Sequence, residues 1–188
     1  MEEIKPLQLH YVKGDLVKDA FEGRLDVIAH QTNCFCHGKS GLAPQVFKKF
    51  PALERVDSRT EKGDRSKMGG ATHSFCWSPH VNKNFVWGFN LYGQYHHEKD
   101  NPEYCTVYSA LQSSLEEMKR CIMTRKTLHW EYDEHLNIGF PLIGCGRAGG
   151  NWNIVEEMIR EVFADLKYCK VFIYTLNQIK DKPYVVRH

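Results

Sequence analysis

The residues best suited to chemistry lie in a glycine-rich segment at positions 139–152, GFPLIGCGRAGGNW. An apolar run precedes its turn and apolar residues at helical spacing follow it, so the pattern predicts a buried strand, a turn and a helix. Glycine permits positive φ angles and lets a ligand approach the backbone closely. Free backbone N–H groups in such a turn, ahead of a helix N-terminus, form a site for an anion. The segment therefore predicts a phosphate or diphosphate site, and a tight strand-to-helix turn without a ligand is the alternative.

A second turn of the same kind occupies residues 30–43, HQTNCFCHGKSGLA. It follows an apolar strand pattern at 25–30 and precedes a helix pattern, and Gly38 and Gly41 bracket two polar residues. Both turns follow strand ends, and in open α/β sheets ligands bind beyond the carboxyl ends of the strands. The two turns are therefore expected to face one cleft.

His30 ends the strand that precedes this second turn. Because histidine titrates near neutral pH, it can donate or accept a proton in a reaction at a phosphate. The side chain could protonate a leaving sugar oxygen, orient a water molecule or attack phosphorus directly, and the sequence leaves these roles open. A histidine satisfied within the core is the alternative.

Alternating strand and helix patterns must position these turns. Strands are predicted at residues 7–13, 25–30, 70–76, 84–90, 136–143 and 170–176. Helices are predicted at 16–21, at 42–50 with a break at Pro51, from 102 onward behind an Asn101 cap, and at 154–166, with polar connections at 57–69 and 124–135. Helices that alternate with buried strands imply an α/β fold with helices on both faces of a mainly parallel sheet.

Length and composition are typical of a single globular domain. The chain has 188 residues, 42% of them hydrophobic, and a net charge of +2, which is too small to indicate a nucleic-acid or membrane partner. Seven cysteines, an odd number spread through apolar segments, favour free thiols in a reducing compartment. The N-terminal residues lack an apolar signal-peptide core, and no apolar run approaches the roughly 20 residues of a membrane span. A soluble cytoplasmic protein is expected.

Four stretches resemble the macrodomain family, the ADP-ribose-binding α/β/α module. They are VKGDL at 12–16, VIAHQTNCFCHGKSGLA at 27–43, FNLYGQY at 89–95 and IGFPLIGCGRAGGNW at 138–152. They follow the family's order and spacing over nearly the whole chain. The resemblance implies a single macrodomain over residues 1–188, with a core at about 7–177, a C-terminal tail at 178–188 and a three-layer α/β/α fold around a mixed, mainly parallel sheet.

The resemblance also implies a role for each matching residue. Asp15 falls where macrodomains contact the adenine amino group, although capping of the helix that follows is the commoner role for such an aspartate. Asn33 falls where they hold the distal ribose, and the two glycine turns match the loops that hold the phosphates. The implied ligand-binding residues are Asp15, Leu16, Asn33, Gly41, Leu42, Ala43, Ile143, Gly144, Cys145, Gly146, Arg147 and Ala148.

Within the family the chain is similar to a branch that contains ADP-ribose-1″-phosphate phosphatases and a related ADP-ribosyl-glutamate hydrolase. The phosphatase members carry a catalytic histidine at the place of His30, so the resemblance implies His30 as the catalytic residue. The hydrolase members carry a catalytic aspartate just after the G-x-G of the second loop, where this chain has Arg147 and Ala148. Their catalytic lysine has no clear counterpart at 71–75.

The resemblance leads us to expect a hydrolase that removes phosphate from ADP-ribose-1″-phosphate. Hydrolysis of ADP-ribosyl proteins or of O-acetyl-ADP-ribose, and ADP-ribose reading without turnover, are the alternatives. The expected partners are ADP-ribose, its derivatives and ADP-ribosylated macromolecules. The chain is expected to act as a monomer without a cofactor.

Cysteine, histidine and tryptophan side chains near the turns raise further possibilities. The C-x-C-H run at 34–37 lacks the second pair that would complete a zinc site, so no metal is expected. Cys145 is either a nucleophile or a small residue packed under the loop. His96 and His97 either line the cleft or stay solvated. Trp152 is expected to pack beneath the second loop, where its indole N–H needs a partner.

Overall fold

Six strands form one sheet in a computed structural model of the chain, which describes residues 7–79, 85–129, 136–166 and 168–186. The strands are β1 (Leu9–Lys13), β2 (Val27–Asn33), β3 (Ala71–Trp77), β4 (Phe85–Gln94), β5 (Leu136–Pro141) and β6 (Cys169–Thr175). They are arranged in the order β1-β6-β5-β2-β4-β3, and every neighbouring pair is parallel except β3 with β4. The prediction of a mixed, mainly parallel sheet is confirmed.

Helices cover both faces of this sheet. They are α1 (Leu16–Phe21), α2 (Ala43–Lys49), α3 (Pro51–Ser58), α4 (Tyr108–His129) and α5 (Trp152–Phe163). One hydrophobic core joins the sheet to α1, α2 and α3, and a second joins it to α4 and α5. Because successive strand side chains point to opposite faces, Val27 and Ala29 belong to the second core and Ile28 to the first. The predicted three-layer α/β/α fold is confirmed.

Capping and proline residues set the helix boundaries. Asp15 Oδ1 accepts hydrogen bonds from the N–H groups two and three residues later, at 2.9 and 3.0 Å, which confirms this residue as the cap of α1. Pro51, which has no N–H to donate, separates α2 from α3. Asn151 caps α5, with its Oδ1 3.0 Å from Asn153 N.

Strand β2 runs further than predicted. It stays paired with β4 as far as the Asn33–Gln94 pair, with a register shift after Gln31, instead of ending at His30. Asn33 therefore lies at the end of a strand rather than inside the turn.

Helix α4 begins and ends later than predicted. Thr106 still bridges to Gln94 of β4, so the helix starts only at Tyr108. It continues to His129 through part of the segment predicted as a connection, and residues 130–135 of that segment lie outside the described residues.

Two segments predicted to be polar and peripheral pack against the domain. The connection predicted at 57–69 begins inside α3, where Asp57 is 1% exposed. The segment predicted as a C-terminal tail folds back against β1, where Val185 N donates to Tyr11 O at 2.8 Å. Each segment packs against residues far away in the sequence, and the polarity of the segment itself cannot indicate such packing.

The described residues contain neither a membrane-spanning helix nor a disulfide bond. None of the helices in the described ranges is long and apolar enough to cross a membrane. All seven cysteines fall within those ranges, and each is a free thiol. Residues 80–84, which include the first residue of the strand predicted at 84–90, lie outside the description.

Candidate functional site

A cavity of about 690 Å³ opens at the edge of the sheet where the parallel strands end. Its walls come from segments that follow β1, β2, β4, β5 and β6, and both glycine turns belong to them. The volume lies within the roughly 300–1,000 Å³ that is usual for small-molecule sites. The predicted convergence of the two turns on one cleft is confirmed.

The second glycine turn leaves a row of backbone N–H groups without protein acceptors. Gly144 adopts a φ of 71°, and the N–H of Cys145 is used within the turn, where it donates to Leu142 O at 3.0 Å. The three N–H groups at 146–148 donate to no acceptor among the described residues. Successive free N–H groups of this kind can bind an anion.

Thr106 fixes the shape of this turn. Its N–H donates to Ala148 O at 3.1 Å, and its Oγ1 donates to Gly144 O at 2.7 Å. A Cβ on Gly144 would lie 2.8 Å from Gln31 Oε1 and 3.0 Å from Thr106 Oγ1. A Cβ on Gly146 would meet no atom within 4 Å. Packing therefore requires glycine at 144, whereas Gly146 borders open space.

Asn33 organises the first turn from the end of β2. Its Oδ1 accepts hydrogen bonds from Phe35 N and His37 N at 3.0 and 3.3 Å, and its Nδ2 donates to His37 O at 3.0 Å. Because the loop engages both ends of the amide, Asn33 shapes the loop as well as lining the cavity. The contact with a distal ribose that the resemblance implies stays a prediction.

Asp15 combines a cap with a place on the cavity wall. Both capping bonds fall on Oδ1, and Oδ2 accepts no hydrogen bond from the described residues. One carboxylate can therefore cap α1 and also face a ligand. The adenine contact stays a prediction.

Residues 176–179 form a further wall of the cavity that the sequence analysis missed. Tyr184 holds this wall, because its hydroxyl accepts a hydrogen bond from Ile179 N at 2.9 Å and lies 2.8 Å from Thr175 Oγ1. No local pattern marks these residues as part of a site, since the contact depends on the chain turning back after β6.

His30 lies at the inner wall of the cavity and is 4% exposed. Asn90 Nδ2 donates to Leu53 O at 2.9 Å, which leaves Asn90 Oδ1 as the acceptor for the His30 Nε2–H at 2.7 Å. Burial lowers the pKa of His30 to about 4, although the bond to Asn90 acts in the opposite direction. The imidazole is therefore neutral at pH 7, with its Nε2–H committed to Asn90 and a backbone hydrogen bond with Gln31 as a further contact. The catalytic role of His30 stays a prediction.

A buried polar network extends from His30 beneath α3, and the sequence analysis missed it. Asn90 Nδ2 also donates to Thr72 Oγ1 at 3.0 Å, and that oxygen lies 3.4 Å from Tyr92 OH. Tyr92 OH in turn donates to Asp57 Oδ1 at 2.7 Å, and burial raises the pKa of this carboxyl. These five residues, from His30 to Asp57, are named the Asn90 network.

Three histidines and Phe35 stack where the turn after β2 meets the loop after β4. The ring centroid of His97 lies 4.1 Å from that of His37, 4.9 Å from that of His96 and 5.4 Å from that of Phe35. His37 and His97 line the cavity, which settles the alternatives for His97 in favour of the cleft. Burial lowers the pKa of His97, and electrostatic repulsion from His37 and His96 lowers it further. These four residues are named the histidine cluster.

Nearly all of the predicted site residues line the cavity. The exception is Cys145, whose thiol donates to Ile143 O at 3.3 Å. Burial raises the pKa of this thiol to about 11, which fits the packing alternative better than a nucleophile. The predicted residues on the cavity wall are Asp15, Leu16, His30, Asn33, Gly41, Leu42, Ala43, Ile143, Gly144, Gly146, Arg147 and Ala148.

Trp152 anchors the helix behind the second turn. Its Nε1 donates to Tyr11 OH at 2.9 Å, so Tyr11 is the partner that the indole N–H was expected to need. Its ring packs against the core on the side of α4 and α5. The turn is therefore backed by a rigid helix start.

The C-x-C-H run does not gather metal ligands. Among the residues that the structure describes, no group of three or more His, Cys, Asp or Glu side chains could hold a metal ion. Burial raises the pKa of Cys34 to about 11, and the Cys36 thiol donates to Asp57 O at 3.2 Å. Both thiols therefore contribute to packing and loop structure.

Comparison with known proteins finds relatives over most of the chain, although no protein-family model matches it. The chain is 32% identical over 154 residues to the uncharacterized 17.5 kDa protein in the tk-vs intergenic region of Enterobacteria phage T4, covering 79% of this chain and 86% of that protein. It is 26% identical over 176 residues to the Homo sapiens ADP-ribose glycohydrolase OARD1, covering 93% and 96% of the two chains. Its fold is similar to that of the macrodomain of Mycobacterium tuberculosis DarG, with a TM-score of 0.67 and 17% identity over 89% of this chain and 97% of the other.

Proposed function

The chain belongs to the macrodomain family, and we propose that it binds ADP-ribose and hydrolyses a phosphomonoester on the distal ribose, with ADP-ribose-1″-phosphate as its substrate. One observation carries the proposal: two glycine turns converge on a single cavity of about 690 Å³. A cavity with free N–H groups at 146–148 in its wall suits a diphosphate that joins two larger groups.

In this proposal ADP-ribose extends along the cavity from Asp15 to Asn33. The adenine lies beside Asp15 and the wall at 176–179, the diphosphate lies over the N–H groups at 146–148, and the distal ribose lies beside Asn33. Arg147 is the one lysine or arginine among the described residues that line the cavity. Backbone N–H groups would therefore hold most of the phosphate charge.

Hydrolysis of the 1″-phosphate requires a water molecule to attack phosphorus. As the new P–O bond forms, the bond from phosphorus to the ribose oxygen breaks, and that oxygen takes a proton when ADP-ribose leaves. The N–H groups and Arg147 would stabilise the charge on the phosphate oxygens. The resemblance assigns proton transfer to His30, whose Nε2–H is donated to Asn90.

A second candidate is the removal of ADP-ribose from proteins or of acetate from O-acetyl-ADP-ribose. The name of the human relative, ADP-ribose glycohydrolase, favours a reaction of this class. The chain reads Arg147 and Ala148 where ADP-ribosyl-glutamate hydrolases carry their aspartate, and residues 71–75 contain no lysine, so such a reaction would need different catalytic groups. ADP-ribose reading without turnover is the third candidate.

Calorimetric titration of ADP-ribose tests the binding part. Wild type is expected to bind one equivalent, and Gly146→Val, whose side chain would enter open space beside the free N–H groups, is expected to weaken binding at least tenfold, by about 1.4 kcal/mol. Asn33→Ala should act in the same direction. Lys48→Ala, exposed on α2 and outside the cavity wall, is the matched control. Absence of binding to folded wild type would reject the proposal.

Phosphate release from ADP-ribose-1″-phosphate tests the hydrolytic part. His30→Ala is expected to lower kcat by about 100-fold while ADP-ribose affinity is retained. Full activity in that variant, with unchanged affinity, would remove His30 from the mechanism. Parallel assays with O-acetyl-ADP-ribose and an ADP-ribosylated protein distinguish the second candidate, and binding without turnover of any substrate would leave a reader.

A further inference from the structure

We propose that His37 and His97 form a subsite for the phosphate group on the distal ribose, and that this phosphate binds with uptake of a proton by the histidines. The inference rests on the proposed function, because it names what the cavity recognises beyond ADP-ribose itself. It concerns residues that the resemblance to macrodomains does not assign.

The position of His97 follows from contacts at the end of β4. Gln94, the last residue of β4, is the register partner of Asn33, and the next residue, Tyr95, accepts a hydrogen bond from Cys34 N at 3.0 Å. His97 follows two residues later and lines the cavity together with Asn33. The subsite therefore lies at the end of the cavity where the proposal places the distal ribose.

The same loop is tied to the second glycine turn. Thr106 holds the backbone of that turn through Gly144 O and Ala148 O, at 2.7 and 3.1 Å. The loop that carries His97 is therefore anchored at its far end to the turn over which the proposal places the diphosphate.

The histidine rings are held in place before any ligand arrives. His97 stacks on His37 and His96, with centroids 4.1 and 4.9 Å apart, and Phe35 packs against His96 at 4.5 Å. His96 Nδ1 also accepts a hydrogen bond from Glu98 N at 3.1 Å. Rings packed this closely lose little conformational freedom on binding, which favours a preorganised site.

The charges around His97 are those that an anion would complement. His37 and His96 face it from two loops, and both oppose its protonation. Among the described residues, Glu98, an exposed carboxylate whose Oε1 is 4.0 Å from His97 Nε2, favours it. His97 Nδ1 is covered and has no hydrogen-bond partner among the described residues. A second negative charge would therefore stabilise the imidazolium that the protein alone disfavours.

A phosphomonoester supplies this charge. It carries up to two negative charges, with a second ionisation near pH 6, and it forms short charge-assisted hydrogen bonds with imidazolium. A proton moves from the solvent to a histidine as the phosphate binds, and no covalent bond changes. Affinity for the phosphorylated ligand should therefore increase as pH falls from 8 towards 6.5, whereas affinity for ADP-ribose should stay nearly constant.

Calorimetry with two ligands tests the subsite without depending on turnover. The probes are ADP-ribose and a non-hydrolysable analogue with a methylene phosphonate at the 1″ position, titrated at pH 6.5 and pH 8 in buffers of different ionisation enthalpy. Wild type is expected to bind the phosphonate at least about tenfold more tightly than ADP-ribose at pH 6.5 and to take up a fraction of a proton. His97→Gln should remove most of that preference and the proton uptake, with the ADP-ribose Kd changed less than about twofold.

His37→Gln is a second variant that should also lose the preference for the phosphonate, so the test does not depend on His97→Gln alone. His10→Gln is the matched control, because His10 lies on β1 against Phe172 and outside the cavity wall. If wild type binds ADP-ribose but both cavity variants keep the phosphonate preference and its pH dependence, the subsite is wrong and the proposed function stands. If wild type binds neither ligand, the proposed function itself fails, and the subsite fails with it.

Discussion

His30 and His97 border the same cavity, yet their surroundings differ in kind. His30 is buried against Phe47 and donates to Asn90, which is itself bonded to Leu53 and Thr72. His97 stands among other histidines and keeps a nitrogen without a partner in the described residues. The first environment satisfies a neutral imidazole, whereas the second places an imidazole on the cavity wall beside other histidines.

The pKa of each histidine is lowered, but for reasons that have different consequences. For His30 the largest cause is burial, which a ligand in the cavity would not reverse. For His97 burial is joined by repulsion from His37 and His96, which a bound anion would offset. The lowered pKa of His30 therefore follows from its burial in the fold, whereas the lowered pKa of His97 is one that a bound anion would raise.

The largest effect is expected from breaking the Asn90 network. Asn90→Leu removes the amide and leaves the Nε2–H of His30 buried without a partner, so the free energy of unfolding should fall by about 3 kcal/mol. Chemical denaturation measures this. Asn153→Leu, at an exposed position, is the control and should change stability by less than about 0.5 kcal/mol. A loss below 1 kcal/mol in Asn90→Leu would mean that the network tolerates solvent.

The second-largest expected effect is a dependence of stability on pH that comes from His30. The unfolded chain takes up a proton near pH 6.5, whereas folded His30 does so only near pH 4, so stability is lost as pH falls between these values. The difference amounts to about 3 kcal/mol at most. Denaturant unfolding at pH 7 and pH 4.5 should show a smaller difference in His30→Gln than in wild type. Equal differences in the two proteins would place the titrating group elsewhere.

A smaller effect on stability is expected when substitutions at two glycines of the second turn are compared. Gly144→Ala places a methyl group against Gln31 and Thr106 at a φ of 71°, so unfolding should become easier by about 2 kcal/mol. Gly146→Ala meets no atom within 4 Å and should stay within about 0.5 kcal/mol of wild type. Thermal unfolding of both variants measures the contrast. Equal stabilities would contradict the assignment of Gly144 to packing.

The smallest effect is expected at His97. Because its Nδ1 has no hydrogen bond to lose among the described residues, His97→Gln should change the free energy of unfolding by less than about 0.5 kcal/mol. The same denaturation experiment used for Asn90→Leu measures it. A loss above about 1.5 kcal/mol would show that the histidine cluster supports the fold as the Asn90 network does, and would remove the contrast between the two sites.

Much of the fold could be predicted because its signals are local. Apolar runs mark β2, β5 and β6, helical spacing marks α5, and Asp15 and Pro51 mark helix boundaries. The alternation of strands and helices along the chain is sufficient to predict a parallel sheet with helices on both faces. The late start of α4 could not be predicted, because it depends on the bridge from Thr106 to Gln94, two residues that only the folded sheet brings together.

The candidate site could likewise be predicted only where its signals are local in the sequence. Glycine spacing and the order of strands determined that two turns border one cleft, since parallel strands end at a common edge. Only the tertiary structure decided that His30 faces Asn90, that the chain after β6 forms a wall, and that His97 meets His37. The physical reason is that hydrophobic periodicity in the sequence shows which face of a helix or strand is buried. The partner of a buried polar group is instead set by strand register and by loops that meet across the sheet.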